Sequence, residues 1–448
     1  MGQGRPRANK CDGCRRRHLK CDLLQPTCKP CLRHGFSCER SLDSMFVPYW
    51  PKKNNKTSSQ DSEYAWPRKT SAPQSSTALA PVTGESLWFA HLYAMVSSGT
   101  ESVLETWIGF RATSYEADSL ARESFVALAC SFFGRSKNSL DLLQWGNSQY
   151  LHCLRKVNIQ LDDRETRTSP QALLTVAILG YYEALLLTAP SAWVRHYTGL
   201  AQLMQMAGPE ACKDGVVFDT LRQSRFMMIL AAMATQSDTF LSTPEWKTVP
   251  WEIQNAPKGS MHEMLDTVAD LPGLKTGVQS ESAENSRAIL RRLDEWRSTW
   301  NDSMDSDLGL SDSSGPDYPS TRQGPITSSN LLTANCFCIY NAAVIMAAGH
   351  ALRTSRAKDL QPGDASVLFH QMHEAAVGIC RALDYHFQSS AGTSGGLFIL
   401  WPLRMAAKVL RGGSPQEKLW LEKRMGTVMQ SKGVWDIRRE VFHEFHGT

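Results

Sequence analysis

What the 448-residue sequence lacks narrows it before anything it contains. The opening "MGQGRPRANK" has no apolar core of the kind that directs secretion, so an oxidising compartment is not expected and disulfides lose their usual setting. Long apolar runs are scarce. The longest uncharged stretch, "QGPITSSNLLTANCFCIYNAAVIMAAG" (323–349), is diluted by Asn330, Asn335, Asn341 and several Ser/Thr, which argues for a buried helix and against a membrane span. Runs of alternating β-branched residues are rare, so an α/β or all-β body is not expected. No glycine loop is built to cradle phosphate, and no H-E-x-x-H pair marks a zinc protease.

What is present is unevenly spread. The formal charge is only +4, yet residues 1–40 hold ten Lys/Arg against Asp12, Asp22 and Glu39, a net of +7 that leaves −3 for the other 408 residues. A basic head on a mildly acidic body suits a polyanionic partner. Six of the twelve cysteines, Cys11, Cys14, Cys21, Cys28, Cys31 and Cys38, fall in that same head. The others, Cys130, Cys153, Cys212, Cys336, Cys338 and Cys380, are scattered through apolar stretches, where cysteine fills core space.

Four zones follow along the chain. A cysteine-rich head over about 8–40 gives way to a Ser-, Pro-, Asn- and Lys-rich segment, 41–83, expected to be a disordered linker because it has too little apolar surface to offset chain entropy. Its prolines and lack of heptads argue against a coiled-coil zipper. From residue 84 to 448 apolar residues recur at three- and four-residue intervals, in "ESLWFAHLYAMV", "SPQALLTVAILGYYEALLL", "FDTLRQSRFMMILAAMA" and similar segments, and this body is expected to be mainly all-α. A polar insert at about 301–325 interrupts it. Asp302, Asp305, Asp307, Asp312 and Asp317 around Leu308 and Leu310 make this insert a solvated loop or a contact for a coactivator.

The head repeats itself. "KCDGCRRRHLKC" and "TCKPCLRHGFSC" share the spacing C-x2-C-x6-C. A structural zinc takes four thiolate or imidazole ligands, so two zinc ions need eight ligand bonds and six thiolates supply them only if two sulfurs bridge both metals. Pseudo-symmetry favours Cys11 and Cys28 as the bridging pair, with His18 and His34 completing separate sites as the other arrangement. Some forty residues cannot bury a core sufficient to fold alone, so the metal would act as the core. Between Cys14 and Cys21, Arg15, Arg16, Arg17, His18 and Lys20 would sit on about two turns of helix held by the cluster, where cations neutralise phosphates and reach base edges in the major groove.

These residues resemble the fungal binuclear zinc cluster family of transcription factors, through all six cysteines, the basic run after Cys14, Lys20-Cys21-Asp22, and Pro26 two residues before Cys28. The resemblance implies two short helices around two zinc ions, Cys11 and Cys28 shared between them, and a first helix that reads a short, often CGG-type, half-site of double-stranded DNA. It places Arg17 and His18 at the base-reading end and Arg15, Arg16 and Lys20 on phosphates. His18 stands where the best-known members have Lys. A weaker likeness to the helical regulatory region of such factors runs through "YYEALLL", "WVRHYTGLAQLMQMAGPEAC" and "LFILWPLRMAAKVLRG".

The whole is therefore expected to be a nuclear, sequence-specific DNA-binding regulator of RNA polymerase II genes, with coactivators or corepressors as further partners, and with homodimerisation through the body left open. The competing reading is a chromatin-tethered small-molecule sensor or enzyme. For the enzyme, "GTSGG" (392–396) matches a nucleophile elbow at Ser394, but no strand precedes it to aim the serine, and a Gly/Ser loop capping the next helix is the favoured reading. "HQMHE" (370–374) and "HEFH" (443–446) each place two histidines three apart, and such pairs are usually interfacial or solvated. The chain is not expected to be an enzyme.

Overall fold

The computed structural model describes residues 29–34, 84–96, 119–186, 188–189, 191–274, 279–299, 331–355, 363–386 and 392–430. Among these, every regular element is helical. The short helix α1, Lys29–His34, belongs to the cysteine-rich head. The body runs α2 Gly84–Val96, α3 Leu120–Ser136, α4 Leu140–Asp162, α5 Pro170–Leu186, α6 Ala192–Ala207, α7 Gly215–Thr235, α8 Pro244–Gln254 and α9 Ser260–Val268. It continues with α10 Gln279–Ser298, α11 Leu331–Thr354, α12 Asp364–Arg381, α13 Leu383–His386, α14 Gly392–Leu410 and α15 Pro415–Gln430, with single 3-10 turns after α6, α7 and α9. The segments 41–83 and 301–325 and the histidines of "HEFH" lie outside the described residues.

Two helices are apolar all round and sit in the middle. In α5 every residue from Ala172 to Leu186 is buried. In α11, the one described helix long and apolar enough to cross a membrane, 83% of the most apolar window is buried inside the body, as for a core helix. Around α5 pack α3, α4, α6 and α7; around α11 pack α9, α10, α12 and α14. One continuous apolar cluster runs through both groups, and Phe226 of α7 stacks on Phe398 of α14 with ring centroids 5.3 Å apart.

The sheathing helices are striped. α4 buries Gly146, Tyr150, Cys153, Leu154, Val157 and Leu161, one face at a spacing of three and four, while Leu140 and Ile159 face water. Helix ends follow sequence chemistry. Ser119 accepts from the Arg122 amide at 3.3 Å and Asp214 from the Val216 amide at 2.7 Å. Ser414 and Glu417 form a reciprocal capping box, with bonds of 3.3 and 2.7 Å, at the start of α15. Gly208, at φ 78°, stops α6.

Several polar groups inside this core bond to one another. Glu183, the single charged residue of α5, is 1% exposed. It accepts from Tyr150 Oη at 2.5 Å, Thr188 Oγ1 at 2.6 Å and the Thr188 amide at 3.0 Å. Since the Tyr150 hydroxyl hydrogen is committed to Glu183, His196 Nε2, 3.0 Å away, is the donor to the Tyr150 oxygen. Burial, aided by nearby Arg195, lowers the His196 pKa to about 3, so the ring stays neutral. Tyr182 stacks on Tyr150 at 4.1 Å and donates to Asn147, which leaves Ser131 to donate to Tyr182 at 3.0 Å. On the far side of the core the buried Arg225 pairs with Asp266, donates to the His262 carbonyl at 2.9 Å and lies 5.0 Å from the Trp251 ring. Lys258 shares Asp266 at 2.6 Å.

Two outcomes test this packing. At Gly146, where α4 crosses α3, a Cβ would lie 2.1 Å from Ser131 Oγ and 2.9 Å from its amide nitrogen. Gly146→Ala should therefore destabilise the body by about 1–3 kcal/mol in urea unfolding, despite the better helix propensity of Ala. Acid should weaken the fold too. His262, like His196, is lowered to about 3, by burial and then by Arg225, Arg222 and Lys258. Burial lowers His386 as well, to about 4. Between the unfolded value of about 6.5 and these folded values the unfolded chain binds three protons that the folded one does not, so stability falls as pH falls, with a limiting slope on the order of 4 kcal/mol per unit. A urea midpoint constant from pH 7 to pH 5 would refute this.

Candidate metal centre and nucleic-acid interface

Metal-binding residue types are concentrated between Cys11 and Cys38, and α1 is the described element of that stretch. Pro30 occupies its first turn, where a missing N–H costs nothing because the first four amides have no intrahelical acceptor. Lys29, Leu32, Arg33 and His34 are exposed, Leu32 at 72%, whereas Cys31 is 1% exposed. In this six-residue helix the leucine is exposed and the cysteine buried, so it has no apolar face and its buried group is the sulfur-bearing side chain.

That is the donor chemistry a structural zinc site takes. A cysteine in the first turn of a helix, three residues after Cys28, reproduces the Cys-x2-Cys wrap, and the amides at a helix start favour the thiolate that a metal needs. Arg33 and His34 close α1 at its negative end, where cations are favoured. Cys11, Cys14, Cys21, Cys28 and Cys38, and the basic residues Arg15, Arg16, Arg17, His18 and Lys20, lie outside the described residues.

The body offers other chemistry. Cys130, Cys153, Cys212, Cys336, Cys338 and Cys380 are all buried thiols, as expected of core-filling cysteines. Burial pushes Cys130, Cys212 and Cys336 up to about 12 and Cys153 up to about 11, so none is a ready thiolate near neutral pH. Among the described residues no three His, Cys, Asp or Glu side chains converge to hold a metal ion.

The "GTSGG" segment differs from expectation: its backbone is not a capping loop but the opening turn of α14. The apolar run from Leu397 onward carries the helix, and the Gly/Ser residues join its first turn, where amides lack intrahelical acceptors. No strand stands before it among the described residues, so Ser394 is not on an elbow. Of the α12 pair, His370 is exposed while His373 is partly buried and bonds Glu417 of α15 at 2.6 Å, an interhelical clasp. The buried Glu183 and Arg225 were not singled out from sequence. Their signal was a lone charge in an apolar run, "GYYEALLL" and "SRFMMILAAMA".

Comparison with known proteins decides the nature of the head. The family model described as "Fungal Zn(2)-Cys(6) binuclear cluster domain" matches residues 10–45. The chain carries a fungal binuclear zinc cluster domain. This domain is a non-catalytic module that holds two zinc ions and belongs to sequence-specific, DNA-binding transcription factors of the nucleus. It spans less than a tenth of the sequence. A curated relative, the uncharacterized protein AN5342 of Emericella nidulans, is 28% identical over 127 residues, 28% of this chain and 27% of the relative. The chain thus matches little more than a quarter of that protein's length. No solved structure shows a significant match.

Metal removal separates the two parts of the protein. The purified full chain is expected to carry two zinc ions, and chelation should abolish DNA binding while leaving the helical circular dichroism of the body nearly unchanged, since its core contains no described metal cluster. A collapse of the helical signal on chelation would contradict this.

Proposed function

We propose that the chain is a transcription regulator in which a dizinc head, residues 8–40, binds double-stranded DNA and an all-α body, 84–448, connected through 41–83, regulates that binding or its consequence. Cys11, Cys14, Cys21, Cys28, Cys31 and Cys38 hold the two zinc ions, with Cys11 and Cys28 bridging. The observation that carries the reading is the duplicated C-x2-C-x6-C spacing inside the matched region, with Arg15-Arg16-Arg17-His18 between the second and third cysteines. A rigid metal-held helix with four consecutive basic or imidazole side chains enters the major groove with Arg17 and His18 toward base edges. Arg15, Arg16 and Lys20 lie along phosphates. Six thiolates around two dications leave the cluster itself near charge −2, so the groove-facing cations make the head electropositive where it meets DNA.

Coactivators or corepressors are the partners such a body would meet, and the acidic 302–317 stretch is the candidate contact. The 41–83 segment carries no heptads, so a dimer would form through the body.

Base reading and phosphate contact have different signatures. Sites are first selected from a random DNA pool with the full-length protein. Arg17→Ala or His18→Ala should then cost about 1–3 kcal/mol on the selected site and little on scrambled DNA. Arg15→Ala should weaken both alike and flatten the salt dependence of binding by roughly one counterion. Equal losses on selected and scrambled DNA for all three variants would remove the base-reading assignment.

A further inference from the structure

Between α10, α11 and α12 the body has a solvent-open groove of about 290 Å³, close to the smallest volumes that hold ligands. Leu290 of α10 and Phe337 and Val344 of α11 give it apolar walls. Gly378 of α12 helps to shape it: a Cβ there would stand 3.1 Å from the Phe337 ring and 3.6 Å from Asn341 Nδ2, and its absence lets the ring lie against the α12 backbone. An apolar wall gives water little to bond, so an apolar body is the better occupant.

The polar lining is mixed in sign. Asp294 of α10 and Glu374 of α12 bring two carboxyl groups, and Arg381 of α12 brings a guanidinium that is only 7% exposed. Asp294 accepts from Tyr340 Oη at 3.4 Å, a long bond that uses one of the acceptor positions of its carboxyl group. Glu374 stands 3.9 Å from His373 Nδ1 and is half exposed. Burial acts against the charge of Arg381, and Glu374 partly offsets it. A plain cation would meet Arg381 and a plain anion would meet Asp294 and Glu374, in each case a like charge.

We propose that this groove binds a small zwitterion with an apolar body, of the α-amino-acid class, with its ammonium toward Asp294 and Glu374, its carboxylate toward Arg381 and its side chain on Leu290, Phe337 and Val344. Arginine is the side chain suited to a carboxylate, because its planar fork can make two parallel bonds. The site lies within one group of helices and uses no residue of the zinc head.

The test is thermal unfolding of the zinc-loaded full-length protein, without DNA, so that its result is independent of the DNA-binding reading. Leucine, isoleucine, methionine and phenylalanine are compared with isoamylamine, which has only the ammonium, and with 4-methylpentanoate, which has only the carboxylate. At about ten times Kd at least one amino acid should raise Tm by roughly 2–5 °C, with neither half-molecule doing so. Asp294→Asn, at an exposed position, should fold normally and weaken the amino acid at least tenfold in calorimetric titration. Stabilisation by the amine or the acid alone would overturn the ligand class. Undiminished binding to Asp294→Asn would overturn the location, and no stabilisation by any of the four amino acids would overturn the site.

Discussion

Two helices that cannot face water govern the body. α5 and α11 have no polar stripe, so each must be covered on all sides, and a chain can do that only by wrapping several striped helices around it. The order of elements follows: α3 and α4 precede α5 and α6 and α7 return over it, while α10 precedes α11 and α12 and α14 return over that. The Phe226–Phe398 stack and the continuity of the core join the two wrapped helices into one interior. Surface ion pairs such as Arg122–Glu85 and Lys156–Glu123 decorate this arrangement and contribute little to it.

Burying α5 and the inner face of α7 brings polar groups inside, and these choose among the many ways apolar helices can pack. Glu183 needs donors that only a particular rotation of α4 and the turn after α5 provides, through Tyr150 and Thr188. Arg225 needs Asp266 across 41 residues of sequence. Any rotation of α7 by one residue would leave a buried guanidinium facing hydrocarbon, which costs several kcal/mol, whereas apolar contacts alone tolerate such a shift cheaply. Their role in selecting one packing explains why charged residues persist in helices otherwise built for burial.

Legibility in the sequence follows the range of the physics involved. Helix class and the positions of the most apolar helices depend on neighbours within a turn, and the sequence pattern carries them. It carries the cysteine head too, because metal-ligand spacing is local. The stripe of α4 was obscured because Gly146 and Cys153 belong to its buried face while Leu140 and Ile159 do not. The charge-rich α10 escaped notice for a similar reason: its apolar positions Ile289, Leu290, Leu293 and Trp296 are few. The opening turn of α14 was misread since Gly and Ser look like a loop until the apolar run beyond them imposes helix. Pairings over tens of residues, Arg225 with Asp266 or His373 with Glu417, have no local signature at all.

The head and the body solve the same problem by different means, and this bears on regulation. The body gains its stability from many small contacts spread through one core, so its helices share one packed interior. The head is too small for such a core, and its stability rests on a few strong metal–sulfur bonds that are either made or not. A module held in that way does not draw its stability from the core of the body. Under the proposed division of labour, regulation through the body would act on where the head is presented, what partner is recruited or how many copies assemble, and not on the fold of the head. The separation of charge along the chain agrees: residues 1–40 carry +7 and 41–83 carry +2, whereas 84–448 carry −5, so the net charge of the body does not draw it to a polyanion.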